Sequence, residues 1–105
     1  MTAYCIALCT FGDAETAERA ATLAVEQKLA ACVNLIPGIV SVYRWQEKVE
    51  KDNEVQAVFK TREDLCEPLY ELIQSVHSYT TPEWLIVPVS NGSNDYLQWI
   101  KSNLQ

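Results

Sequence analysis

The chain has 105 residues, 49% of them hydrophobic and 21% charged, with 14 Asp+Glu against 8 Lys+Arg and a formal net charge of -6. That length suits one domain, residues 1–105, with one thin core. The acidic balance argues against nucleic acid and anionic membranes as partners, since both are held mainly by Lys and Arg.

No stretch reaches the ~18 apolar residues of a spanning helix, and Met1-Thr2-Ala3-Tyr4 lacks the basic start of a secretory leader. A cytoplasmic location is expected. Cys5, Cys9, Cys32 and Cys66 sit in apolar or periodic stretches, without a Cys-x-x-Cys pair and with His77 as the sole histidine. They are read mostly as small buried hydrophobes in a reducing compartment.

In chain order, Tyr4–Thr10 is a short apolar strand closed by Phe11-Gly12, and Asp13 is an N-cap candidate. Residues 14–29 are helical, with Ala17, Ala20, Ala21 and Ala24 at helical spacing. These alanines suit either close packing on a sheet or an exposed surface. Residues 31–45 are β-rich around Pro37-Gly38, which places a bulge or bend near a sheet edge. Residues 46–54, six of nine charged, are expected to form an exposed hairpin tip. Val55, Ala57 and Phe59 then alternate with Gln56, Val58 and Lys60 as a half-buried strand. The resulting ribbon is long for so small a domain.

Leu65, Leu69, Leu72, Ile73 and Val76 mark one face of a second helix. Asp64 with Glu67 resembles a capping box, and Pro68 must lie in the first turn. Residues 77–82 form a loop, and 84–89 a strand in which Pro88 again points to an edge. Asn91-Gly92 turns the chain, and Asp95 is a cap candidate for a last helix carrying Tyr96, Leu97, Trp99 and Ile100. This order is that of an α+β, ferredoxin-like β-α-β-β-α-β fold with a C-terminal helix. Two helices cover one sheet face. The strands at Cys5–Leu8 and Leu85–Val87 are apolar on both sides, so another subunit is expected on the other face.

Gly12, Gly38 and Gly92 stand alone, so there is no phosphate-cradling loop. Cys9 with His77, oriented by Glu83, has the residue types of a nucleophile pair, but a strand thiol lacks the helix N-terminus or oxyanion loop that usually accompanies one. The same thiol and imidazole suit copper by softness, with Glu83 as an oxygen donor. A buried cysteine and a loop histidine account for the same residues, and spacing does not decide between them. Tyr43, Trp45, Tyr79 and Trp84 fit a subunit interface better than a pocket.

Several segments together resemble the CutA divalent-cation-tolerance family. They are Leu8-Cys9-Thr10, the stretch Lys28-Leu29-Ala30-Ala31-Cys32-Val33-Asn34-Leu35-Ile36-Pro37-Gly38, and Ser41-Val42-Tyr43-Arg44-Trp45-Gln46-Glu47-Lys48. Lys60-Thr61, His77-Ser78-Tyr79 with Pro82-Glu83, and Tyr96-Leu97-Gln98-Trp99-Ile100 complete the likeness. The resemblance implies a ferredoxin-like subunit in a homotrimer of PII-like architecture, with the long hairpin crossing to neighbours. It implies tolerance of divalent metal ions and copper (Cu2+) binding, at residues that correspond here to Cys9 and His77. The chain departs from relatives at Val76, where some have a second histidine, at Ser78, where proline is usual, and at Thr80, where an acidic or amide residue is usual. The expectation is a non-enzymatic trimer that binds copper or other divalent ions in the response to metals. The alternatives are a PII-like regulator sensing a small anionic ligand in intersubunit clefts, and a trimer whose aromatics serve only its interfaces.

Overall fold

The computed structural model describes residues 3–105, so Met1 and Thr2, on which the absence of a leader was read, lie outside the described residues. The elements are β1 (Tyr4–Phe11), α1 (Ala14–Glu26), β2 (Cys32–Trp45), β3 (Lys48–Arg62), α2 (Cys66–Val76), β4 (Leu85–Pro88) and α3 (Asn94–Ser102). The four strands form one antiparallel sheet in the order β2-β3-β1-β4, the split β-α-β arrangement expected from the element order.

Alternation along β1 sends Cys5, Ala7, Cys9 and Phe11 toward the helices, while Tyr4, Ile6 and Leu8 are half-buried on the other face. Ala17, Ala20, Ala21 and Ala24 are the buried residues of α1. Their small side chains let the helix lie close on the sheet, which rules out the exposed alternative. Leu65, Leu69 and Ile73 carry the α2 side of the core, and Ile100 and Leu104 join it from the C-terminal segment. The helical layer therefore has three contributors, not two.

The bend at Pro37-Gly38 is present. The β2–β3 register breaks between Ile36 and Ile39, and Gly38 has φ +71°. Pro37 and Pro88 lie on the edge strands β2 and β4, where a missing N–H costs no ladder bond.

Other boundaries differ from the sequence reading. Residues 46–54 are not a broad tip. The turn is Gln46-Glu47 alone, and Lys48–Glu54 pairs in register with Ile39–Trp45. Helix α1 stops at Glu26, not near Leu29, because Lys28 takes a left-handed conformation (φ 57°). Its N–H reaches Val25 O at 3.0 Å and that of Leu29 reaches Ala24 O at 2.9 Å, the two bonds of a Schellman stop.

Asp13 does cap α1, accepting from Thr16 N at 2.7 Å. Asp64 does not form a capping box. It accepts from Arg62 Nε at 3.1 Å, and α2 starts at Cys66 after a short 3-10 turn, with Pro68 in its first turn. Ser93, not Asp95, caps α3 by accepting from Tyr96 N at 3.2 Å. Trp84 lies before β4 and packs on Tyr70 and Phe59, with centroids 5.0 and 6.0 Å away. Its ring is thus partly buried against the protein's own core.

Candidate functional site

The end of β1 meets the loop that follows α2. His77 closes α2, its backbone N–H reaching Ile73 O at 2.9 Å, and its ring stacks on Phe11 with centroids 4.4 Å apart. Its Nε2 lies 2.7 Å from Thr10 O, and its Nδ1 lies 2.9 Å from Tyr79 N. A carbonyl can only accept and a backbone N–H can only donate. The ring is therefore protonated on Nε2 and carries its lone pair on Nδ1, already used by Tyr79.

Cys9 is wholly buried on the helix side of β1, and its thiol points to the same Thr10 carbonyl at 3.8 Å. Burial pushes the Cys9 thiol up to about 12, and the nearby negative charges of Glu83 and Glu54 act in the same direction. Cys9 and His77 are thus brought to one carbonyl without forming a thiol–imidazole dyad. Neither thiolate nor free imidazole nitrogen is presented, so the pair lacks the form of an activated nucleophile.

Beside His77 a cleft of about 800 Å³ opens between the β2–β3 ribbon and residues 79–83. Its lining includes Thr10, Tyr43, Trp45, Asp52, Glu54, Tyr79 and Glu83, with no Lys or Arg. The Tyr79 hydroxyl donates to Glu54 Oε2 at 2.8 Å, and the Tyr43 hydroxyl donates to Asp52. Burial, then the Glu54 bond, holds the Tyr79 phenol far above its ordinary range. The Asp52 bond raises Tyr43 to about 12. Both phenols therefore remain donors to the carboxylates. Glu83 accepts from Gln56 Nε2 at 3.3 Å. Gly12 leaves room for this arrangement, because a Cβ there would lie 3.0 Å from the Tyr79 hydroxyl oxygen.

Sequence reasoning missed Asp52 and Glu54 as cleft residues because it placed them in a solvated tip. Setting the turn at Gln46-Glu47 would have put both on strand positions. Tyr43, Trp45 and Tyr79, which the sequence reading favoured for an interface over a pocket, line the cleft. Among the described residues no group of three or more His, Cys, Asp or Glu side chains is placed to hold a metal ion. Cys9 and His77, as they stand within the protomer, do not offer an open donor pair to copper.

The chain matches the CutA1 divalent ion tolerance protein family over residues 5–103. The chain belongs to this family. It is 43% identical over 104 residues to the divalent-cation tolerance protein CutA of Escherichia coli O139:H28, covering 99% of this chain and 93% of the relative. It is 44% identical over 94 residues to the chloroplastic protein CutA of Arabidopsis thaliana, covering 90% of this chain but only 52% of that longer relative. The crystal structure of CutA1 from Oryza sativa superposes with a TM-score of 0.95 at 38% identity, over 98% of this chain and 94% of that one. As a CutA1 family member, the chain has relatives named for tolerance of divalent cations. At the position before His77 it carries Val76, which packs against the core.

Among the described residues no helix is long and apolar enough to cross a membrane.

Proposed function

We propose that this CutA1-family chain works as a homotrimer in the response to divalent cations, copper (Cu2+) among them, in the cytoplasm and without catalysis. The observation that carries the reading is the cleft beside His77, lined by Asp52, Glu54 and Glu83 with no opposing Lys or Arg, on a chain of net charge -6. Such a surface draws cations from a distance. The four free thiols suit a reducing compartment.

The copper contact that the family resemblance implies falls on Cys9 and His77, neither of which presents a free donor in the protomer as it stands. Thiolate and imidazole match copper by softness. Uptake there is coupled to a local rearrangement, because the Nδ1 lone pair must leave Tyr79 N and the buried Cys9 thiol must lose its proton. The regulator reading, a trimer sensing a small anion, is weaker, since the lining of the protomer's cleft repels negative charge.

Native mass spectrometry with and without Cu2+ tests the proposal. The expected result is a trimer that takes up copper, with weaker uptake in Cys9→Ala and His77→Ala. Equal uptake by parent and variants overturns the residue assignment, and a monomer at working concentration overturns the assembly.

A further inference from the structure

Cys5 and Cys66 lie outside the cleft and take no part in the proposed copper contact. Cys5 points from β1 to the helix side and is 3% exposed, while Cys66 opens α2 and is half-buried. Their sulfurs are 3.2 Å apart across 61 residues of chain, and either thiol can donate to the other. The remaining cysteines are engaged differently. Cys9 turns to the Thr10 carbonyl, and Cys32 has Lys60 Nζ at 3.9 Å and Asn34 Nδ2 at 4.0 Å. Two facing thiols on separate elements can be joined when an oxidant takes up two electrons, both protons leave and the sulfurs close to bonding distance. As a metal site the pair supplies two ligands and no third.

We infer that Cys5 and Cys66 are a redox modification site, at which a small-molecule disulfide such as oxidised glutathione drives formation of an intramolecular disulfide tying β1 to the start of α2. The reaction runs in two exchanges. Cys66 loses its proton to solvent, and its thiolate attacks one sulfur of the small disulfide. That S–S bond breaks and one glutathione thiolate leaves. Cys5 then loses its proton, attacks Cys66 Sγ, and displaces the second glutathione thiolate. Two protein thiols are oxidised and one glutathione disulfide is reduced to two thiols.

The order follows from access and ionisation. Cys66 is the more accessible member, half-buried where Cys5 is buried, although its thiol too is held above the ordinary range, chiefly by burial. Burial raises the Cys66 thiol, the S–H of Cys5 lowers it, and the negative charges of Glu63 and Asp64 raise it. Arg62, which pairs with Asp64, offsets part of that charge. Burial and the Cys66 contact push Cys5 up to about 12, so it is the resolving thiol. Exchange is accordingly slow at neutral pH and faster under alkaline conditions.

The test treats the native full chain with oxidised glutathione at mildly alkaline pH, blocks remaining thiols with iodoacetamide, and maps peptides without reduction. The expected product is a peptide pair joined through Cys5 and Cys66, with a thermal midpoint raised by roughly 10 °C and restored by dithiothreitol. Cys66→Ala shows neither the link nor the shift, and Cys5→Ala stops at a glutathione adduct on Cys66. A wild-type product that keeps glutathione on Cys66 without the internal link overturns the inference, as do links that join other cysteine pairs. The wild-type map decides the matter even where Cys5→Ala fails to fold.

Discussion

The Thr10 carbonyl receives both the Cys9 thiol and the Nε2 proton of His77. The residue types were legible in the sequence. The intervening carbonyl was not legible, because backbone acceptors carry no residue identity. The same burial that hides Cys9 gives a pH dependence. Its thiol titrates near 9.0 when unfolded and near 12 when folded. Below pH 9 both states hold the proton and the folded form has its full advantage. Above it the unfolded chain releases the proton first, so stability falls until the folded thiol also ionises. The thermal midpoint is expected to decline from about pH 9 to about pH 12, each such thiol contributing at most about 1.4 kcal/mol per pH unit. Cys5 is raised in the same way and adds to the slope. Cys9→Ala should flatten the decline, measured by thermal melts across that range. Parallel slopes for parent and variant would show that the buried thiol does not set it.

At the scale of elements, strand and helix types were readable from periodicity, while the two largest boundary errors share one cause. Chain reversals that need positive φ usually announce themselves with Gly or Asn. Here Lys28 (φ 57°), Gln46 (φ 49°) and Glu47 (φ 67°) take those conformations with ordinary side chains. The α1 stop and the two-residue hairpin turn were therefore silent. A left-handed non-glycine residue costs on the order of 1 kcal/mol. Lys28 is exposed, and in the structure the Schellman bonds on either side of it involve backbone alone. Lys28→Gly is thus expected to raise stability by roughly 0.5 kcal/mol, once the extra freedom glycine gives the unfolded chain is subtracted. Urea unfolding should show a higher midpoint with an unchanged slope. A lower midpoint would mean that Lys28 makes a compensating contribution through its side chain.

For the whole molecule, shape and surface point to a shared structure. The radius of gyration is 14.3 Å, against ~13 Å for a compact chain of this length, and the long axis reaches 44 Å. β1 pairs with β3 only as far as Val55, so residues 39–54 continue as a two-stranded ribbon beyond the sheet. A ribbon of two strands is marginal in water by itself. This one nevertheless leaves Val40, Val42 and Val49 at 56%, 64% and 70% exposure, and Leu85 and Val87 are exposed on the uncovered sheet face. The apolar strands made the exposed apolar face legible in the sequence, but a single chain's pattern does not say what covers it. Three chains at -6 apiece repel one another, so apolar burial must outweigh that charge for a trimer to hold. Each buried valine contributes roughly 1.5–3 kcal/mol, whereas a carboxylate in its place opposes burial by several kcal/mol. Val42→Asp is therefore expected to dissociate the proposed trimer, and Val42→Ile to preserve it. Sedimentation velocity across a dilution series measures both. A Val42→Asp protein that remains trimeric at the lowest concentration would remove the ribbon from the assembly surface.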